Sequence, residues 1–409
     1  MMKYLSKYAD ENKLPVMDQQ QFETVTDDVG KAQFRLDLAD YIEEHRPKFP
    51  LKEISYEVMR QCFKSLQKQD VWEYVKPVEQ LEKNVKEKYD DYKYNFKDHG
   101  LGIIDAPSIY NDVSNYFHQH LRLNCSSYGF KAPIDVWQNG DAKDIWRCLG
   151  PIWRGINSER HLREGTYMSA FRLGTYIATQ FKPVVAKTIY DMTKANTVLD
   201  TSCGWGDRLA GFFASSATEY YGCDPNPNTY KQYMKQIEEY SKFFPNKKVK
   251  IYNCGAENLP YDELPDIDCA FTSPPYFSTE EYNKGGELEE NQSWFKFNEY
   301  EKWRDDFYLP VAEKTLSKSK FMLVNIMDPK VKNVRYRSSD ELINSNRDKF
   351  LGQIGMVIMQ RPQGNAKFKT KEELNKFMAM KYIENVWCFG PKDYDFFSSS
   401  RRATLESFL

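Results

Sequence analysis

Thr197-Val198-Leu199-Asp200-Thr201-Ser202-Cys203-Gly204-Trp205-Gly206-Asp207-Arg208 reads as a short buried strand, a glycine-punctuated turn and the start of a helix. The strand closes on an acid, Asp200. Gly204 and Gly206 let the following turn carry backbone amides close to a ligand at a helix N-terminus. The unit is repeated downstream. Residues 220–224 form a second strand, ending in Asp224, with helical spacing over 228–243; residues 249–252 and 268–271 supply a third and a fourth. After helical spacing over 300–316 come strands at 321–326, 354–360 and 385–389. Seven strands separated by helical patterns predict a doubly wound α/β sheet, with the last two fitting an edge hairpin.

Asp224 stands about 20 residues beyond the glycines, where an acid accepts hydrogen bonds from ribose hydroxyls. Turn and acid together describe a nucleoside-containing cofactor. The spacing is Gly-x-Gly without a third glycine, and the sequence has no GxxxxGK[ST], so S-adenosylmethionine suits the turn better than a dinucleotide or a triphosphate.

Thr272-Ser273-Pro274-Pro275-Tyr276-Phe277 follows the fourth strand. An isolated Pro-Pro commonly does no more than stop a strand. At the carboxyl edge of an open sheet, however, neither proline donates to the ladder, and the Ser273 hydroxyl, the Pro274 carbonyl and the Tyr276 ring project together. Acceptors beside an aromatic face suit a planar molecule with an exocyclic amino group.

Bulk composition places few limits. The 409 residues allow two or more domains, and 41% hydrophobic content supports a sizeable core. With 57 Lys+Arg against 59 Asp+Glu, global charge neither marks nor excludes a nucleic-acid binder. Eight cysteines without a CxxC pair fit a reducing, cytoplasmic setting, and no run of about 18 apolar residues suggests a membrane span. His118-Gln119-His120 with Cys125, read as a strand-like H-x-H, lacks a fourth metal ligand, so no metal site is expected.

Residues 1–150 carry scattered helical patterns, for example over 54–66, and a charged stretch over 79–97 that reads as a solvated helix face. They are expected to form a mainly helical region, a target-recognition or accessory domain, ahead of a catalytic domain over 151–409. Residues 278–294, long and polar, fit a lid or base-flipping loop. Lys330, Lys332, Arg335 and Arg337 after the fifth strand, and Lys367, Lys369 and Lys371 after the sixth, are candidate phosphate contacts.

Together these segments resemble the class I S-adenosylmethionine-dependent DNA amino-methyltransferases. Residues 198–208 resemble that family's first motif, which implies that Asp200, Gly204 and Gly206 hold the methionine end of the cofactor. Asp224 matches the ribose-binding acid, with Pro225 and Asn226 beside the adenine, and Glu257 with Asn258 matches the loop lining the adenine edge. Ser273, Pro274, Pro275 and Tyr276 match the catalytic motif. Phe181, Lys182 and Pro183 resemble motif ten, whose helix packs over the methionine moiety. The resemblance covers about 160–400, follows the gamma motif order, and is similar to bacteriophage-borne members in its Gly-Trp-Gly-Asp-Arg turn. It departs from the family at Thr201-Ser202, where Pro-Phe is frequent, and at Asp207-Arg208, where small hydroxyl residues are frequent.

The resemblance implies a Rossmann-like methyltransferase sheet, S-adenosylmethionine as cofactor and DNA as partner. The amino nitrogen of cytosine or adenine is a poor nucleophile because its lone pair is delocalised. Acceptors at Ser273 and Pro274 draw its hydrogens out of plane and localise that pair. The base must leave the duplex, with Tyr276 stacking on it and Phe277 in support. No Pro-Cys pair follows the fourth strand, so carbon methylation through a thiol adduct lacks its nucleophile. Serine at 273 leans the target toward N4-cytosine over N6-adenine. An RNA amino-methyltransferase and a non-catalytic nucleic-acid-binding protein of the same fold stay open as alternatives.

Overall fold

The structure, a computed structural model, describes residues 2–89, 91–150, 161–358 and 370–397. The chain packs as two units. One comprises Met1–Ser55, Gln119–Thr179 and Glu281–Glu289; the other comprises Tyr56–His118, Gln180–Glu280 and Glu290–Leu409.

The first unit is helical, with Gln19–Val29, Lys31–His45, Pro133–Asn139, Ala142–Leu149 and Glu164–Gly174 around a core of Phe34, Leu38, Ile42, Trp137 and Phe171. Gln19–Val29 starts at a reciprocal cap: Asp18 accepts from the Gln21 N–H at 2.8 Å and Gln21 Oε1 accepts from the Asp18 N–H at 3.0 Å. Trp137 is fully buried, and its indole N–H donates to the Pro47 carbonyl at 2.7 Å.

The second unit is built on one sheet. Its strands are β1 (Val75–Pro77), β2 (Val85–Glu87), β3 (Gly100–Ile104), β4 (Thr197–Asp200), β5 (Glu219–Cys223), β6 (Lys248–Tyr252), β7 (Ile267–Thr272) and β8 (Ser319–Asn325). A separate hairpin, β9 (Lys330–Val331) and β10 (Val334–Arg335), precedes β11 (Phe350–Ile358) and β12 (Lys381–Phe389). The sheet runs β1-β3-β11-β12-β8-β7-β4-β5-β6, with β2 on β12. β6, β5, β4, β7 and β8 are parallel, β12 is antiparallel to β8 and β11 antiparallel to β12. In terms of the seven strands read from the sequence, the order is third, second, first, fourth, fifth, seventh, sixth. This is a doubly wound, Rossmann-like α/β sheet. The chain winds outward from β4 in both directions, so the switch point lies at the carboxyl ends of β4 and β7. All four residues of β4 are buried, as a strand covered on both faces must be.

Four expectations are corrected. The last two strands do pair antiparallel, but not at an edge: β12 is inserted beside β8, and β3 and β1 extend the sheet beyond β11. Residues 79–97 do not form one helix; they hold β2, whose Val85–Glu87 pair with Lys381–Ile383, and only a short helix at Phe96–His99. Charge density there marked solvent exposure, not a helix. Part of the region expected to be a separate helical domain, residues 56–118, therefore belongs with the sheet and contributes three strands. The helix expected over 300–316 is interrupted by a π-turn at Arg304–Tyr308. Positions 359 and 360, with Lys367 and Lys369, lie outside the described residues. No helix among the described residues is long and apolar enough to cross a membrane.

Candidate functional site

At the end of β4 the Asp200 carboxylate is fully buried and engaged within the chain. Arg208 Nε donates to Oδ2 at 2.8 Å, the Tyr220 hydroxyl donates to the same oxygen at 2.8 Å, and the Ser202 N–H donates to Oδ1 at 3.1 Å. The Arg208 guanidinium also donates to the Ser202 carbonyl and lies 5.5 Å from the Phe181 ring centre. Burial alone would depress the Arg208 pKa, but Asp200 outweighs it and the pKa is raised, so the pair is ionic. Asp200 thus fixes the turn to the first turn of the helix Asp207–Ala214.

Gly204 and Gly206 both have left-handed backbones, φ +60° and +72°. They differ in what surrounds them. A Cβ on Gly206 would clash with Gln236 Oε1 and lie 2.5 Å from His118 Nε2, whereas one on Gly204 would meet nothing nearer than 3.7 Å. Gly206 is held by packing, whereas half-buried Gly204 would admit a Cβ at ordinary contact distance. Behind Gly206, Gln236 donates to its carbonyl at 2.9 Å and His118 Nε2 lies 3.0 Å from Gln236 Oε1. His118 sits on the helix Asp112–Leu123, not on a strand, and burial lowers its pKa to about 4.

Asp224, one residue past β5, is half-buried. Oδ1 accepts from the Asn226 N–H and the Thr229 hydroxyl, both at 2.9 Å, and Oδ2 from the Tyr233 hydroxyl at 3.1 Å. Desolvation raises its pKa in spite of these donors. Such a carboxylate has much to gain from further hydroxyl donors. The one Tyr233 proton is shared between Asp224 Oδ2 and the Gly204 carbonyl, so this hydroxyl bridges acid and turn. Glu257, past β6, is half-buried and pairs with Lys296 at 2.9 Å.

The Thr201 and Thr272 hydroxyls, 3.1 Å apart and buried, join the ends of β4 and β7. Beyond Thr272, the Tyr276 hydroxyl lies 3.1 Å from the Asn325 carbonyl and 3.3 Å from Ser273 Oγ. A carbonyl only accepts, so the single Tyr276 proton goes to Asn325. The Ser273 O–H then donates to Tyr276, which leaves the Ser273 lone pairs as acceptors toward the sheet edge. Ser273 and Pro275 are half-buried and Pro274 is buried.

Other expected site residues are placed differently. Tyr276 is 9% exposed and belongs to the core, which limits it to a wall rather than an open stacking face. Phe277, at φ +52°, is buried among Tyr300, Trp303 and Tyr336 with ring centres 5.5, 5.9 and 5.7 Å away. The Lys182 ammonium donates to the Ala106 and Val357 carbonyls at 2.6 and 2.9 Å, so it ties the strand region to the helix Pro183–Met192, where Pro183 is the buried first residue. Arg335 and Arg337 pair with Asp91 at 3.6 and 2.9 Å, while Lys330 and Lys332 are exposed. Lys371 opens the helix Lys371–Met378. Residues 278–294 are mostly turns, and their middle, Glu281–Glu289, packs in the helical unit. Sequence reasoning missed Arg208, Tyr233, Gln236 and Asn325 as supports. Asn325 alone left a signal, a polar residue inside the apolar run 321–326.

No family model and no curated protein matches the sequence. Among solved structures, a methyltransferase from Geobacter sulfurreducens aligns with 55% of this chain and 85% of its own at 11% identity, TM-score 0.31. An rRNA methylase from Streptococcus thermophilus aligns with 52% of this chain and 99% of its own at 12% identity, TM-score 0.28. The N-terminal domain of EvdMO1 with SAH bound aligns with 52% of this chain and 82% of its own at 8% identity, TM-score 0.27.

Proposed function

We propose that this chain is an S-adenosylmethionine-dependent methyltransferase acting on the exocyclic amino group of a flipped DNA base, N4 of cytosine in preference to N6 of adenine. The observation that carries this is the hydrogen-bond chain Ser273–Tyr276–Asn325, which makes Ser273 an acceptor beside a glycine turn and a strand-end acid. The residues present fit the cofactor: Gly204, in a left-handed backbone, keeps the turn free of a side chain, and Asp224 is an under-solvated acceptor suited to ribose hydroxyls. When bound, S-adenosylmethionine supplies an electrophilic methyl group. Asp224 would hold the ribose, the Gly204 region would pass close to the methionine end, and Glu257 would border the adenine.

The chain's own part in the reaction is to prepare the nucleophile. Ser273 Oγ and the Pro274 carbonyl accept the two amino hydrogens, which pulls the nitrogen lone pair out of conjugation. Tyr276 acts through Ser273 as a positioning residue. A serine here makes no charged contact, which suits the cytosine amine without demanding it.

The test is to incubate the protein with methyl-labelled cofactor and, separately, duplex DNA, single-stranded DNA and RNA, followed by nucleoside analysis. Label in N4-methylcytosine is the expected result. Label in N6-methyladenine would correct the base, and label confined to RNA would overturn the DNA reading.

A further inference from the structure

Immediately after β8, beside the catalytic strand, the chain forms the β9–β10 hairpin, in which Val331 pairs with Val334 and Lys330 with Arg335. Its two-residue turn places Lys332 and Asn333 at φ +48° and +67°. This twist suits a hairpin, but Asn-Gly is its usual occupant and a lysine is an unfavourable choice. The base of the hairpin is anchored on the second unit's core. Val331 and Tyr336 pack on the cluster that contains Tyr276 and Phe277; Tyr336 stacks on Tyr300 at 4.1 Å and meets Phe277 at 5.7 Å. The Tyr336 N–H donates to the Pro329 carbonyl at 2.9 Å, the Arg335 guanidinium lies 3.8 Å over Tyr89, and Arg337 holds Asp91 at 2.9 Å. Two of the four basic residues expected in this stretch as phosphate contacts, Arg335 and Arg337, are therefore anchors. What the hairpin presents outward is Lys330, Lys332 and Asn333, all exposed, and Val334, 52% exposed.

We infer that this hairpin opens duplex DNA for the adjoining site: Val334 enters the base stack where the target leaves it, and Lys330 and Lys332 hold the flanking phosphates. The inference rests on the base-methylation reading above. An apolar residue inserted between base steps, flanked by cations, is a general means of holding a duplex open. The occupant is duplex DNA and not duplex RNA, because a two-stranded ribbon fits the wide major groove of B-form DNA, whereas the deep, narrow major groove of A-form RNA excludes side chains. The rigid base matters as much as the tip, since a wedge on a loose loop would be displaced rather than displace a base.

The experiment compares full-length wild type, Val334→Ser and Lys330→Gln/Lys332→Gln. Initial rates of methyl transfer to a long mixed-sequence duplex and to its separated strands are measured, with binding to the same duplex by fluorescence anisotropy over a salt series. All substituted side chains are exposed, and unchanged cofactor binding by calorimetry checks that each variant is folded. Val334→Ser should lower transfer to the duplex about tenfold while leaving single strands within about twofold. The double lysine variant should weaken duplex binding and reduce the salt slope by about 1.8. A duplex-to-single-strand ratio unmoved by Val334→Ser, with wild-type transfer intact, overturns the wedge alone; an unmoved salt slope overturns the phosphate contacts. Wild type that labels no DNA overturns the methylation reading instead, and tighter binding to duplex RNA overturns the choice of partner.

Discussion

Tyr276 and Asp224 show how single side chains divide the work of the site. Tyr276 touches Ser273 and Asn325, so Tyr276→Phe keeps the ring and removes only the hydroxyl that sets the Ser273 proton. Loss of one neutral hydrogen bond is worth about 1 kcal/mol, so kcat should fall roughly 5- to 10-fold. Cofactor affinity, measured by calorimetry, should not move. Asp224→Ala should do the reverse, raising the cofactor Kd at least about tenfold, because the carboxylate stands at the ribose position rather than at the amine. Equal loss of cofactor affinity in both variants would contradict the division. The types of both residues were legible in the sequence. Their hydrogen-bond partners were not, since Asn325 lies 49 residues from Tyr276 and reaches it only across the sheet.

The strand–turn–helix of residues 197–214 is the element on which both halves of the site depend. Its buried Asp200–Arg208 pair is an internal brace, and removing one partner strands a charge in the core. Arg208→Met should cost about 3–5 kcal/mol in urea denaturation, and the double variant Asp200→Leu/Arg208→Met should recover part of that loss. A single variant with no effect would show that the brace contributes nothing. Gly206→Ala meets two obstacles, the left-handed backbone and the contacts with Gln236 and His118, so it should destabilise by about 2 kcal/mol or more. Gly204→Ala meets only the first, and should reduce cofactor affinity more than stability. The sequence shows two equivalent glycines; in the structure a Cβ is excluded by packing at Gly206 but not at Gly204.

At the scale of the sheet unit, buried titratable groups tie stability to pH. The folded pKa of His118, about 4, lies below its ordinary 6.5, so between these values the unfolded chain binds more protons than the folded one. Its contribution is fully present above about pH 6.5 and is lost as pH falls toward about 4, by roughly 3 kcal/mol in all. Urea midpoints measured from pH 7.5 to 4.5 should therefore decline in wild type and decline less in His118→Gln. Identical slopes would show that His118 is not the group. The sequence by itself determined the seven alternating strands, the acids at the end of β4 and just past β5, and the Pro-Pro-Tyr segment after β7, because period, strand-ending residues and turn glycines are local properties. Only the tertiary structure decided that residues 56–118 extend the sheet, that Asp200 is spent on Arg208, that Phe277 faces the core and that Arg335 and Arg337 are anchors. Each of these depends on which distant residue occupies the neighbouring space, and pairing across a sheet or burial against a partner leaves no periodic mark on the chain.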